Sequence, residues 1–414
     1  MEKQHRCRRL VLVPCPFQGH MTPMLQLGTI LHSRGFYITI AHTQFNFPNP
    51  LNFPDFNFLE IYEDVISGFN ANCKAPLRES LARMMEKEDQ HSKIACIIYD
   101  EYISAANMLT YQEIPRLLKD DLWYSTYVGA EAMMLELVPG LEPLRFKDLP
   151  ITNFRDLDDL PQLIVNAHDS RSYSAIIWNT MDCLEQSSLA HLRQEYQLPL
   201  FPIGPLHRTI PAPSISLLKE DQNCISWLDK QSHNSVIYVS VGSIAFLDSK
   251  ELAEMAWGLA NSEHPFLWVV RTDSISLPES FQETVGERGC ITKWAPQKQV
   301  LAHSAVGGFW SHCGWNSTIE SISEGVPMIC QPYFGDQRVN SRYLSLVWGV
   351  GLEWENDMNR GPIKEAIRML MVGKEGEVIR QSAKDLKVKI ELSMKQAVSS
   401  YNSLNELVDQ ILSF

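Results

Sequence analysis

The residues best placed to do chemistry lie between Trp294 and Gln337. The apolar run at residues 307–311 reads as a strand ending at His312. Gly314 then permits a tight turn into a helix that opens near Asn316. A helix N-terminus presents unpaired backbone N–H groups and the positive end of the helix dipole, which suits a diphosphate. His312, Asn316 and Ser317 add side-chain donors at that end. Each piece also has a plainer reading. Ser317-Thr-Ile-Glu320 is a capping box, and taken alone capping is the better account of it. Trp294 can be a core aromatic, His312 a structural histidine, and Asp336-Gln337 a solvated loop. Their order within one short window favours a ligand site.

The elements that must position these groups alternate. Residues 10–13 form a short apolar strand, residues 14–20 a loop ending at His20, and residues 21–33 a helix closed by Gly35. Strands follow at 37–41, at 94–99 just before Asp100, at 114–118 and at 174–178. Two proline clusters, at 202–205 and 211–213, mark a linker. The alternation then restarts, with strands at 236–241, 266–270, 306–310 and 327–331 and helices at 250–260, 317–323 and 402–412. This predicts an α/β protein with two doubly wound parallel sheets, and a ligand cleft between the carboxyl ends of both.

Composition narrows the function. The chain has 414 residues, 45% hydrophobic and 21% charged, with a formal net charge of −13. That argues against a nucleic-acid binder or an anionic-membrane surface protein. Nine cysteines are scattered without a Cys-x-x-Cys pair, which fits a reducing compartment better than a disulfide framework or a zinc site. No apolar run reaches the ~20 residues of a membrane span. The expectation is a cytoplasmic monomer with no metal. The first strand–helix loop lacks Gly-x-Gly-x-x-Gly, which speaks against a nicotinamide dehydrogenase.

The window from Trp294 to Gln337 resembles the signature box of the plant UDP-dependent glycosyltransferases, family 1 with the GT-B fold. The match runs through Trp294, Pro296-Gln297, His303, His312, Gly314-Trp315-Asn316-Ser317, Glu320, Gly325-Val326-Pro327, Pro332 and Asp336-Gln337. The resemblance implies that Trp294 stacks on uracil, Gln297 contacts its edge and Glu320 holds the ribose. It assigns the diphosphate to His312, Asn316, Ser317 and Ser243, and the sugar to Asp336 and Gln337, with glutamine at that last position going with glucose. The loop ending at His20 resembles the family's amino-terminal loop, which makes His20 the general base and Asp100 its orienting partner. A helix N-terminus suits the neutral imidazole this requires.

The implied reaction is transfer of glucose from UDP-glucose to a hydroxyl or amine of a small lipophilic plant metabolite, with inversion and no cofactor. By overall appearance the chain resembles the clade acting on terpenoid, iridoid and cytokinin-like acceptors. Residues 1–208 would bind the acceptor, residues 209–395 the UDP-sugar, and residues 396–414 would return as a helix to the first half. Against the family, the chain looks short near 62–72, 119–136 and 271–277. The second of these lies where an acceptor-pocket helix is expected, so the alternative is a UDP-sugar-binding protein with little or no turnover.

Overall fold

The computed structural model describes residues 8–43, 47–61, 79–83, 94–100, 133–149, 174–209, 216, 218–242, 248–271, 277–395 and 398–414. The first sheet contains β1 (Arg9–Val13), β2 (Tyr37–His42), β3 (Asn57–Glu60) and β4 (Ile94–Tyr99), all parallel, in the order β3-β2-β1-β4. Leu10, Val11 and Leu12 are fully buried, as expected of a central parallel strand covered on both faces. The helix Gln18–Ser33 packs Met21, Met24, Leu25, Leu27, Ile30 and Leu31 into the first core. It starts three residues earlier than the sequence suggests, so His20 lies in its first turn and not in the loop.

A two-stranded parallel pair, β5 (Ile176–Trp178) and β6 (Leu200–Pro202), flanks the helix Asp182–Glu195. Pro202 therefore ends a strand, and the first half of the proline-rich stretch is ordered structure rather than linker. The second sheet is β7 (Val236–Ser240), β8 (Phe266–Val269), β9 (Gly289–Thr292), β10 (Val306–Ser311), β11 (Met328–Cys330) and β12 (Gly351–Glu353). Its order, β12-β11-β10-β7-β8-β9, is again fully parallel. Strands β9 and β12 escape the sequence pattern because each is short and only partly buried. The predicted strand at 114–118 lies outside the described residues.

In each sheet the chain winds outward one way from its first strand, then returns to the other side of it with the fourth. Ligands bind where that order reverses, beyond the carboxyl ends of the two inner strands. The switch points are β1/β4 in the first sheet and β7/β10 in the second. The helix Ser399–Ser413 closes the first core from the far end of the chain, with Leu404, Leu407 and Ile411 buried beside Leu10, Leu12 and Phe201. Each such side chain contributes on the order of 1.5–3 kcal/mol by leaving water. Arg8 Nη1 donates to the Ile411 carbonyl at 3.0 Å, and Arg34 Nη1 to Asn405 Oδ1 at 2.8 Å.

Candidate active site

At the first switch point, β1 leads into the helix carrying His20, and β4 ends one residue before Asp100. His20 Nδ1 lies 2.8 Å from Asp100 Oδ2, and the Cys15 N–H donates to the same oxygen at 3.3 Å. With Asp100 ionised, Nδ1 carries the hydrogen and Nε2 keeps the lone pair that a base needs. His20 retains 24% of its side-chain exposure, so the imidazole is reachable, whereas Asp100 retains 14%.

At the second switch point, β10 ends at Ser311 and the helix Trp315–Glu324 begins after Gly314. His312 sits between them, against two glycines. An ideal Cβ on Gly242 or on Gly314 would stand 2.5 Å from His312 Nε2, so only glycine leaves room for the ring at either place. Burial, then the charge of Arg271, push the His312 pKa down to about 4, with the Ser240 backbone opposing. His312 is therefore a neutral donor near pH 7.

The helix N-cap is Gly314, with no side-chain cap bond, and Ser317 and Glu320 lie inside the helix. This corrects the capping-box reading. Ser317 Oγ and Glu320 Oε2 both accept from Gln297 Nε2, at 3.0 and 2.8 Å, while Tyr238 OH donates to Gln297 Oε1 at 3.2 Å. The box fails as a cap because the helix starts two residues before Ser317, whose partner is then another helix. Gln297 thus commits its side chain to the protein, and the helix Gln297–Leu301 begins at this residue. Burial raises the Glu320 pKa against the opposing Gln297 bond and Lys298 charge. Trp294 is half-buried, and its Nε1 donates to Ser216 Oγ at 2.6 Å.

Asp336 and Gln337, the residues expected to bond the sugar, lie where a turn enters the helix Gln337–Arg342. Gln337 Oε1 accepts from the backbone N–H groups of Tyr333 and Phe334, at 2.8 and 3.2 Å. Asp336 Oδ2 accepts from Asn340 Nδ2 at 2.9 Å, and the same nitrogen donates to the Cys313 carbonyl at 3.0 Å. Burial raises the Asp336 pKa, opposed by the Asn340 bond and then by the charge of His20. That interaction places Asp336 within electrostatic reach of the other half's histidine. Two of the hydrogen bonds between the halves come from the first turn of the helix Trp315–Glu324: Asn316 Nδ2 to the Gly19 carbonyl at 2.5 Å, and Trp315 Nε1 to the Asn179 carbonyl at 2.9 Å. Ser243 lies outside the described residues.

The family model described as UDP-glucoronosyl and UDP-glucosyl transferase matches residues 192–384. UDP-glycosyltransferase 76E1 of Arabidopsis thaliana is 43% identical over 451 aligned residues, covering 99% of both chains. The chain belongs to the plant UDP-glycosyltransferases. Flavonol 3-O-glucosyltransferase UGT76E12, also of Arabidopsis thaliana, is 43% identical over 450 residues, 99% of this chain and 98% of that one. The crystal structure of UDP-glucose: anthocyanidin 3-O-glucosyltransferase in complex with UDP superimposes with a TM-score of 0.83 at 26% identity, covering 99% and 100%.

The protein is thus a GT-B enzyme, and its reaction passes a sugar from a UDP donor to a small plant metabolite. Among the described residues no helix is long and apolar enough to cross a membrane. As a UDP-glycosyltransferase it holds one cation the sequence reading passed over. Arg271 follows β8, and its charge acts on His312. Its position just beyond the carboxyl end of a strand beside β7 was the available signal. The alignment with the 76E1 relative spans 451 positions against 414 residues here, so that enzyme carries segments without counterparts in this chain. The places where the sequence looked short fall largely outside the described residues.

Proposed function

We propose that the protein transfers glucose from UDP-glucose to a hydroxyl or amine of a small lipophilic acceptor, in a single displacement that inverts the anomeric carbon. The observation that carries this reading is the His20–Asp100 pair, joined to the donor helix through the bond from Asn316 to Gly19. His20 Nε2 takes the acceptor proton as the oxygen attacks, and Asp100 stabilises the imidazolium that forms. The bond to UDP breaks on the opposite face. Charge growing on the diphosphate meets the first-turn N–H groups of the helix Trp315–Glu324, the hydroxyl of Ser317, the amide of Asn316 and neutral His312. These groups supply the stabilisation without assigning a metal any role.

In the same reading Trp294 stacks on uracil, Glu320 receives the ribose hydroxyls on the oxygen that Gln297 leaves open, and Asp336 and Gln337 bond the sugar. Gln337 keeps its amide NH2 for that purpose, because its oxygen is the atom held by the turn. Ser243, following β7, joins the diphosphate set. Residues 1–208 receive the acceptor and 209–395 the donor, with 396–414 returning to the first half. The relatives named for flavonol and anthocyanidin 3-O-glucosylation favour phenolic acceptors beside terpenoids and cytokinin-like compounds.

A second reading is a UDP-sugar-binding protein with little turnover, favoured by the segments that the longer relatives have and this chain lacks. One experiment decides between them: UDP release from UDP-glucose with a mixed panel of phenolic, terpenoid and cytokinin acceptors. Acceptor-dependent release that disappears in His20→Ala supports catalysis. UDP-glucose binding with no release from any acceptor supports the second reading.

A further inference from the structure

A cluster of ionised side chains joins the segment 133–149, which belongs to the first half, to the edge of the second sheet. Arg145 donates from Nε and Nη2 to the two carboxylate oxygens of Asp148, each at 2.9 Å. Its Nη1 reaches Glu355 Oε1 at 2.6 Å, and Nη2 also bonds Glu353, the last residue of β12. Lys147 Nζ joins the same Glu355 oxygen at 2.7 Å. Arg342 Nη1 bonds the other oxygen of Glu353 at 3.2 Å, while its Nε donates to the Pro143 carbonyl at 3.0 Å. Arg338 Nη1 donates to the Lys147 carbonyl at 3.1 Å, and Leu144 is buried against Val339.

Arg338, Val339 and Arg342 all lie on the helix Gln337–Arg342, whose first residue is Gln337 and whose N-cap is Asp336. The segment therefore grips the very helix that presents the sugar turn. Arg145 is 8% exposed and Asp148 3%. Burial alone would lower the arginine's pKa, but Asp148, then Glu355 and Glu353, raise it instead. Charges buried this deeply are poor sources of net stability, yet they fix geometry, and the planar arginine fork does so in two directions at once.

We propose that Arg145 is a positioning residue for the sugar end of the donor site: seated on Glu353 and Glu355, it holds the 133–149 segment against the helix Gln337–Arg342 and so fixes the Asp336–Gln337 turn relative to His20. The proposal rests on the reading of Asp336 and Gln337 as sugar contacts. Arg145 touches neither substrate nor base. Its action passes through the helix, and the uracil and ribose contacts at Trp294, Gln297 and Glu320 are independent of it.

The test is steady-state kinetics with UDP-glucose, with UDP as a competitive inhibitor, on the wild type, Arg145→Ala, Arg145→Lys and Gln337→Ala. Arg145→Ala raises the KM for UDP-glucose about tenfold, the scale of one or two weakened hydrogen bonds. Its inhibition by UDP stays within about twofold of the wild type, and its preference for UDP-glucose over UDP-galactose narrows. Arg145→Lys keeps the charge, loses the fork and shows the same pattern at smaller amplitude. It carries the test if the alanine variant does not fold. Wild-type kinetics and donor preference in these variants, or an equal loss of UDP and UDP-glucose affinity, overturn the proposal. Gln337→Ala separates the two levels: if it leaves UDP-glucose use unchanged, the reading of the sugar turn has failed, and if only the Arg145 variants are silent, the positioning role has.

Discussion

Asn316 Nδ2 donates to the carbonyl of Gly19, 2.5 Å away, across the boundary between the two sheets and one residue before His20. The helix Trp315–Glu324 and the helix that carries His20 thus share a hydrogen bond before any substrate arrives. Asn316→Ala removes this bond and, on the proposed reading, a diphosphate donor. UDP affinity is expected to fall by several-fold and kcat by a further ~5–10-fold, since a typical hydrogen bond contributes about 1 kcal/mol. Calorimetry for UDP beside turnover measurements checks this. A fall in UDP affinity with kcat unchanged would leave the Gly19 bond without a catalytic part.

His20→Ala and Asp100→Asn are expected to separate binding from chemistry. A positioned general base contributes on the order of 10²–10⁴-fold. The aspartate change should cost a similar factor, because it permits the wrong tautomer. UDP affinity, measured directly, should stay near wild type in both, since the proposed nucleotide contacts follow strands of the other sheet.

How far the sequence revealed this arrangement depended on whether a residue's partner is local. The strand–Gly314–helix turn, the strand ends before His20 and Asp100, and the parallel alternation all follow from patterns within a few residues. The Ser317–Glu320 spacing misled because a local capping box and a distant partner look the same along the chain. Only the fold brings Gln297 to Ser317 and Glu320. Arg145 was invisible for the same reason, its partners Glu353 and Glu355 lying some two hundred positions away.

Gly314→Ala tests the space around His312. The new methyl would stand 2.5 Å from Nε2, an overpacking that costs about 1–3 kcal/mol if the ring cannot move aside. Thermal unfolding should show that loss, and UDP affinity should drop. In Gly314→Ala with His312→Ala the stability loss is expected to shrink, because the obstructing ring is gone, while UDP affinity remains low. Full additivity of the two changes would mean that the methyl and the imidazole do not meet.

Acid should unfold the protein partly through His312. Its folded pKa of about 4 lies below the ordinary value of 6.5. As pH falls below about 6.5 the unfolded chain takes up a proton that the folded chain refuses, so stability is lost down to about pH 4 and then levels off. The full shift corresponds to at most about 3 kcal/mol, and less for a ring with some solvent contact. His312→Gln should therefore lose less stability than the wild type between pH 6.5 and 4, as read from denaturant midpoints. Parallel curves for the two proteins would rule this contribution out.

The helix Ser399–Ser413 gives translation an unusual schedule. Leu10 and Leu12 leave the ribosome early, but the side chains that cover them, Leu404, Leu407 and Ile411, are made hundreds of codons later. The second sheet, β7 to β12, is complete before that helix exists. Although domains generally mature in the order of synthesis, here the half that is made first closes last. The part of its core that this helix covers stays open on the nascent chain, and a chaperone has reason to hold it until the helix Ser399–Ser413 arrives.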